Sequence, residues 1–175
     1  MILSKEISYD DVLNEWMLAE RYKLGDEPTI EALEKMRPAL IKPLRELAVR
    51  WYQAEIEDEA AFNRLRMVRW SDWEECTGGT FNITDVPANL YRNPDHQKDV
   101  LAKKAELERA GRFASKVILF GGSEDAPTII EGNHRMAAYK LYGDERGYSF
   151  LPLQVILGIS PESHTLSLCQ DYKTE

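Results

Sequence analysis

Apolar positions divide the chain into a first stretch with helical spacing and a later stretch in which short apolar runs alternate with turns. Ser8 can cap a helix with Val12, Trp16, Met17 and Leu18 inward and Asp10 and Asp11 in its first turn, where unpaired amides favour negative charge; Gly25 ends it. Thr29 can cap a second helix reaching Met36, and Pro38 breaks the pattern because it lacks the backbone donor. Leu40, Leu44, Leu47, Ala48 and Trp51 continue at three- and four-residue steps, which predicts a helix from Pro38 or Pro43 to Glu55. Ala61, Phe62, Leu65 and Val68 predict a partner helix from Asp58 to Arg69. Residues 1–78 are therefore expected to be a helical extension packed on one side of the remaining chain.

After Gly79 the reading changes. Phe81 to Val86 is rich in strand formers and is closed by Pro87. Asn93 can cap a helix that starts at Pro94, carries Val100, Leu101 and Leu107 inward and stops at Gly111. Val117 to Phe120 and Thr128 to Glu131 read as the two strands of a hairpin across the turn-rich segment 121–127. Gly132 permits an abrupt exit into a helix with Met136, Ala137, Tyr139 and Leu141 inward, ending near Gly143, and Leu151 to Ile159 reads as a strand buried on both faces. The fold class expected is α+β, a small mixed sheet with packed helices, with residues 79–175 as the α+β domain.

Composition narrows the function classes. A chain of 175 residues is about one domain in size. No apolar run approaches the roughly 18 residues that span a bilayer, and the first residues lack the marks of a secretory signal, so a cytoplasmic protein without membrane association is expected. A formal net charge of −8 makes nucleic acid an improbable partner, since affinity for it rests on neutralising phosphates. The acidic residues concentrate in the first 75 positions, which would suit a protein partner or a homodimer contact through the helical extension. Cys76 and Cys169 lack paired spacing and read as free thiols.

The segment Ile129-Ile130-Glu131-Gly132-Asn133-His134-Arg135 carries the strongest chemical signal. A helix begins with amides that have no intrahelical partner and with about half a positive charge, so anions bind there. Gly132 would admit a ligand to the backbone, Asn133 and His134 would donate, and Arg135 would grip phosphate oxygens with its planar fork. Glu131 at the strand end would hold a metal, activate a hydroxyl, or pair with Arg135. The plainer reading is that Asn133 caps the helix and Arg135 pairs with Glu131. Trp70 and Trp73 either line a ligand pocket or glue the helical part to the sheet, the second being the commoner use of such residues.

With its neighbouring elements, this box resembles that of the ParB/sulfiredoxin superfamily over about Phe81 to Ser160. The sulfiredoxin box, Phe-Gly-Gly-Cys-His-Arg followed by Tyr-Ala-Ala-Tyr, is similar to Ile-Glu-Gly-Asn-His-Arg followed by Met136-Ala137-Ala138-Tyr139. The resemblance implies that Gly132, Asn133, His134 and Arg135 receive the phosphates of ATP or CTP, with magnesium as companion ion. Asn133 stands where sulfiredoxin has its nucleophilic cysteine, so sulfinic acid reduction is not expected. The free-serine kinase branch has an acid before Gly-x-His-Arg, which Glu131 matches; its glutamate base near the first helix is missing here, with Asp95 or His96 in that region instead. The expectation is nucleotide binding with magnesium-dependent phosphoryl transfer to a small-molecule acceptor, or nucleotide hydrolysis, with Glu131, His134 and Arg135 as catalytic candidates and His96 as a further cofactor contact. The alternatives are a non-catalytic nucleotide- or ligand-binding module and a ParB-like nucleic-acid binding or nuclease activity.

Overall fold

The computed structural model describes residues 1–147 and 150–167; Cys169 lies outside them. In chain order the main elements are β1 (Ile2–Ile7), α1 (Tyr9–Ala19), α2 (Arg21–Leu24), α3 (Ile30–Met36), α4 (Pro38–Glu46), β2 (Arg50–Ile56), α5 (Glu59–Asn63), β3 (Arg66–Met67), α6 (Ser71–Thr77), α7 (Val86–Asn89), α8 (Pro94–Ala110), β4 (Val117–Gly121), β5 (Thr128–Glu131), α9 (Asn133–Arg146) and β6 (Leu153–Ile159). The six strands make one mixed sheet in the order β1-β2-β6-β4-β5-β3, parallel at β6/β4 and β5/β3 and antiparallel elsewhere. The α+β class with a mixed sheet is thus observed.

Alternation along the strands sorts their side chains between two cores. Ala54, Ile56, Val117, Leu119, Ile129, Val155 and Leu157 face one cluster with α8 and α9, whereas Trp51, Ile118, Phe120, Ile130 and Ile156 face another with α1, α3 and α4. The inner strands β4 and β5 are therefore buried on both faces, which is why they read as unbroken apolar runs.

Residues 1–78 are not wholly helical, and this corrects the expectation of a helical extension. Their helices α1, α3 and α4 do cover one face, but β1, β2 and β3 join the sheet. The expected helix running to Glu55 ends at Glu46, and Arg50–Ile56 pairs with β6 over its whole length. Trp51 lies at a helical step from Leu44 and Leu47 only by coincidence; its neighbours Ala54 and Ile56 point to the opposite face of a strand. The helix expected from Asp58 to Arg69 stops at Asn63, and Arg66–Met67 pairs with β5.

The strand expected at Phe81 to Val86 is instead a 3-10 turn at Ile83–Asp85 leading into α7, with one bridge from Asn82 to Arg66. Side chains take over the backbone donors there: the Phe81 amide donates to the Thr77 hydroxyl at 3.1 Å and the Asn82 amide to that of Thr80 at 3.1 Å. Such local bonds compete with a sheet ladder. The helix caps are as expected, Ser8, Thr29 and Asn93 each accepting an amide with the side chain.

Gly158 faces Trp51 across the β2/β6 ladder, and a Cβ there would lie 2.5 Å from the indole. Tyr9 and Phe120 hold that ring on other sides, with centroids at 5.7 and 6.3 Å. Gly158→Ala is expected to cost about 1–3 kcal/mol of stability in urea unfolding, with most of the loss absent in a Trp51→Phe background. An unchanged midpoint would show that the ring can yield.

Candidate functional site

Between β5 and α9 the chain turns through Gly132 at φ +94°, and no side chain caps α9. The turn opens on a cavity of about 350 Å³ lined by residues from α2, α6, α8, β5 and α9. Glu131, Gly132, Asn133, His134, Arg135 and His96 all border it, so the residues singled out in the sequence are brought together.

Three of them, Asn133, Arg135 and Glu131, are already engaged by the protein. The Asn133 carboxamide is buried, its Oδ1 accepting from the Val68 amide at 3.2 Å and its Nδ2 donating to the Ile129 carbonyl at 3.0 Å. It ties the start of α9 to β5 and to the segment after β3. Arg135 donates to the carbonyl and hydroxyl of Ser115, each at 2.5 Å, and to the carboxylate of Glu131. Its fork is thus not free to grip a phosphate in this state, and the pairing with Glu131 named as the plainer reading is the one observed. Burial raises the Glu131 carboxyl above its ordinary range, with Arg135 pulling the other way.

The histidines make a second arrangement. His96 Nδ1 and His134 Nε2 are 2.5 Å apart, and His96 Nε2 lies 3.0 Å from Asp72 Oδ2. The Trp73 ring packs against both imidazoles in tilted contacts, with centroids at 4.4 and 5.1 Å. Burial, then the charge of His96, lower the His134 pKa to about 4, so this ring is neutral at physiological pH.

A third cluster in the cavity wall holds two cations. Buried Glu20 meets both Arg37, at 2.5 Å, and Lys23, at 3.1 Å. Burial pushes the Glu20 carboxyl up, but the bond and charge of Arg37, then Lys23, outweigh it and hold it below its ordinary range. Arg37 lies over the Trp70 ring at 5.3 Å. Two cations against one carboxylate leave this cluster with surplus positive charge. Trp70 and Trp73 both line the cavity, and Trp73 also belongs to the core, so the pocket and packing readings of that motif are both realised.

The pattern of the chain does not mark Asp72, Glu20, Arg37, Lys23 or Ser115 as site residues. Only the Trp70-Ser71-Asp72-Trp73 motif points toward any of them. Among the described residues no group of three or more His, Cys, Asp or Glu side chains is placed to hold a metal ion. Cys76 is a buried free thiol, and burial raises its pKa to about 11, which leaves it unreactive. No helix among the described residues is long and apolar enough to cross a membrane. Compared with family models, curated proteins and solved structures, the chain has no match.

Proposed function

We propose that the cavity at the start of α9 binds the phosphates of a small anionic ligand, a nucleotide such as ATP or CTP fitting best, and supports phosphoryl transfer from it to a small acceptor or to water. The observation that carries this reading is the uncapped N-terminus of α9 lining the same cavity as Lys23 and Arg37. Amides and cations supply phosphate oxygens with donors, and the half-buried indole of Trp70 offers apolar surface for a base. The resemblance of the Glu131 to Arg135 box to the ParB/sulfiredoxin superfamily supports the same ligand class. A magnesium ion would enter with the phosphates, which commonly supply most of its non-water ligands, since Glu131 is held by Arg135.

Calorimetry of the full chain with ATP, CTP and inorganic triphosphate, with and without magnesium, tests this. Saturable binding is expected, weakened about tenfold or more by Lys23→Ala if Lys23 makes a charge-assisted bond. No saturable heat with any of the three at millimolar concentration would refute it. Binding without phosphate release or transfer in phosphorus NMR would instead identify a non-catalytic ligand-binding module, a reading favoured by the prior engagement of Glu131.

A further inference from the structure

With Glu131 occupied by Arg135, a group that takes a proton from an attacking hydroxyl has to come from elsewhere in the cavity wall. The geometry of the histidine pair supplies one. Asp72 Oδ2 lies 3.0 Å from His96 Nε2, and a carboxylate accepts, so that nitrogen carries a hydrogen. A neutral His96 then has a bare Nδ1. That atom lies 2.5 Å from His134 Nε2, which must therefore donate, leaving Nδ1 of His134 as the acceptor of a ring that lines the cavity. Among the described residues no protein group bonds to that Nδ1.

We propose that Asp72, His96 and His134 form a proton relay ending at His134 Nδ1, and that this relay is the general base of the reaction proposed above. For its substrate the relay rests on that reading; its protonation pattern stands independently. In the step, the acceptor O–H gives its proton to His134 Nδ1 while the new O–P bond forms. The bridging O–P bond breaks, and its electron pair stays on the bridging oxygen of the departing nucleoside diphosphate. His134 passes its Nε2 hydrogen to His96 Nδ1, so the positive charge comes to rest on His96 facing Asp72, and the proton later returns to solvent by the same path.

The relay answers a difficulty that His134 alone would present. Burial and the neighbouring imidazole make it a weak base, at about 4. Moving the hydrogen along the chain places the charge one residue away, beside a carboxylate. Asp72 on α6, Asp99, Lys103 and Glu106 on α8, Lys23 on α2, Glu20 and Arg37, and Glu131 and Arg135 flanking the α9 turn are the charged groups of the surrounding cavity wall and of the pair's own contacts. Asp99 Oδ2, 3.9 Å from His134 Nε2, favours a hydrogen on the same nitrogen. Trp73, packed against both rings, keeps them together.

Nitrogen-15 NMR of the full chain with labelled histidine reads this directly. Near pH 7 both His96 and His134 are expected as Nε2–H tautomers. On acidification His134 is expected to switch to the Nδ1–H tautomer as the pair takes up its first proton. Asp72→Asn should move that step down by about one pH unit or more, through loss of the opposite charge. With ATP or CTP bound, the same variant should move the acidic limb of the phosphate-release profile to lower pH while leaving nucleotide affinity unchanged. An Nδ1–H tautomer at His134 in the neutral protein, or two rings that titrate independently, would overturn the relay even where nucleotide binds. The expected tautomers without any nucleotide binding would sink the nucleotide reading and leave the relay standing.

Discussion

Arg135→Ala should destabilise the fold by about 3–5 kcal/mol near neutral pH, the cost of leaving a buried charge without its partner. The side chain of Arg135 is 7% exposed and that of Glu131 11%, so removing the guanidinium strands a carboxylate out of reach of water. Ser115 would lose its donor as well. The paired substitution Glu131→Leu with Arg135→Met, close in volume and without charge, should recover most of that loss. The deficit should also depend on pH. Burial already raises the Glu131 carboxyl, and loss of Arg135 removes the opposing pull, so the folded state binds this proton more tightly than the unfolded chain, whose ordinary value is 4.5. Such a contribution is fully present below the unfolded value and is lost as pH rises through the folded one. Urea unfolding of Arg135→Ala should therefore show a larger deficit at about pH 8 than at about pH 5. A variant with wild-type stability at both pH values and reduced nucleotide affinity would mean that Arg135 is a ligand group rather than a structural one.

The reason this pairing is ambiguous in the sequence lies in what a sequence records. A glutamate and an arginine four residues apart can meet across the start of a helix, and the same two residue types can also hold a metal and a phosphate. Residue identity is equal in both cases; the Ser115 oxygens that draw the guanidinium inward arrive from a segment 20 residues away. Asn133 is a similar case, because its partners Val68 and Ile129 are fixed only when β5 and α9 are docked. What is legible in the sequence is local: the caps at Ser8, Thr29 and Asn93, the Gly111 stop, and the apolar runs of β4 and β5. Strands β1 and β2 escape a local reading because β2 joins the sheet by pairing with β6, about a hundred residues later, and β1 joins it only through β2. The exposed edge strand Ile2–Ile7 buries too little to show a period. The Asp72, His96 and His134 chain likewise joins α6, α8 and α9, and only His96 and His134 stand out in the sequence, as separate contacts.

Gly132→Ala is the substitution that tests the site and the fold together, with an expected loss of about 2–4 kcal/mol, in which two costs combine. The backbone at φ +94° lies where an L side chain is strained, at about 1–3 kcal/mol. The added Cβ would also stand 2.8 Å from Val117 Cγ2 and 3.0 Å from the Arg135 guanidinium. The steric part can be separated from the backbone part. In a Val117→Ala background the first clash is gone, and the cost of Gly132→Ala should fall by about 1 kcal/mol, an interaction energy typical of residues in contact. Any remaining cost belongs to the backbone and to Arg135. Because Gly132 is the N-cap of α9, relief of that strain by rotation would turn the first amides of the helix away from the cavity. Nucleotide affinity should then drop by more than the stability loss alone predicts under conditions where the variant is fully folded. If folded Gly132→Ala instead binds triphosphate as tightly as the parent protein, the helix entrance is not where the phosphates sit, and the Lys23 and Arg37 cluster would have to hold them unaided.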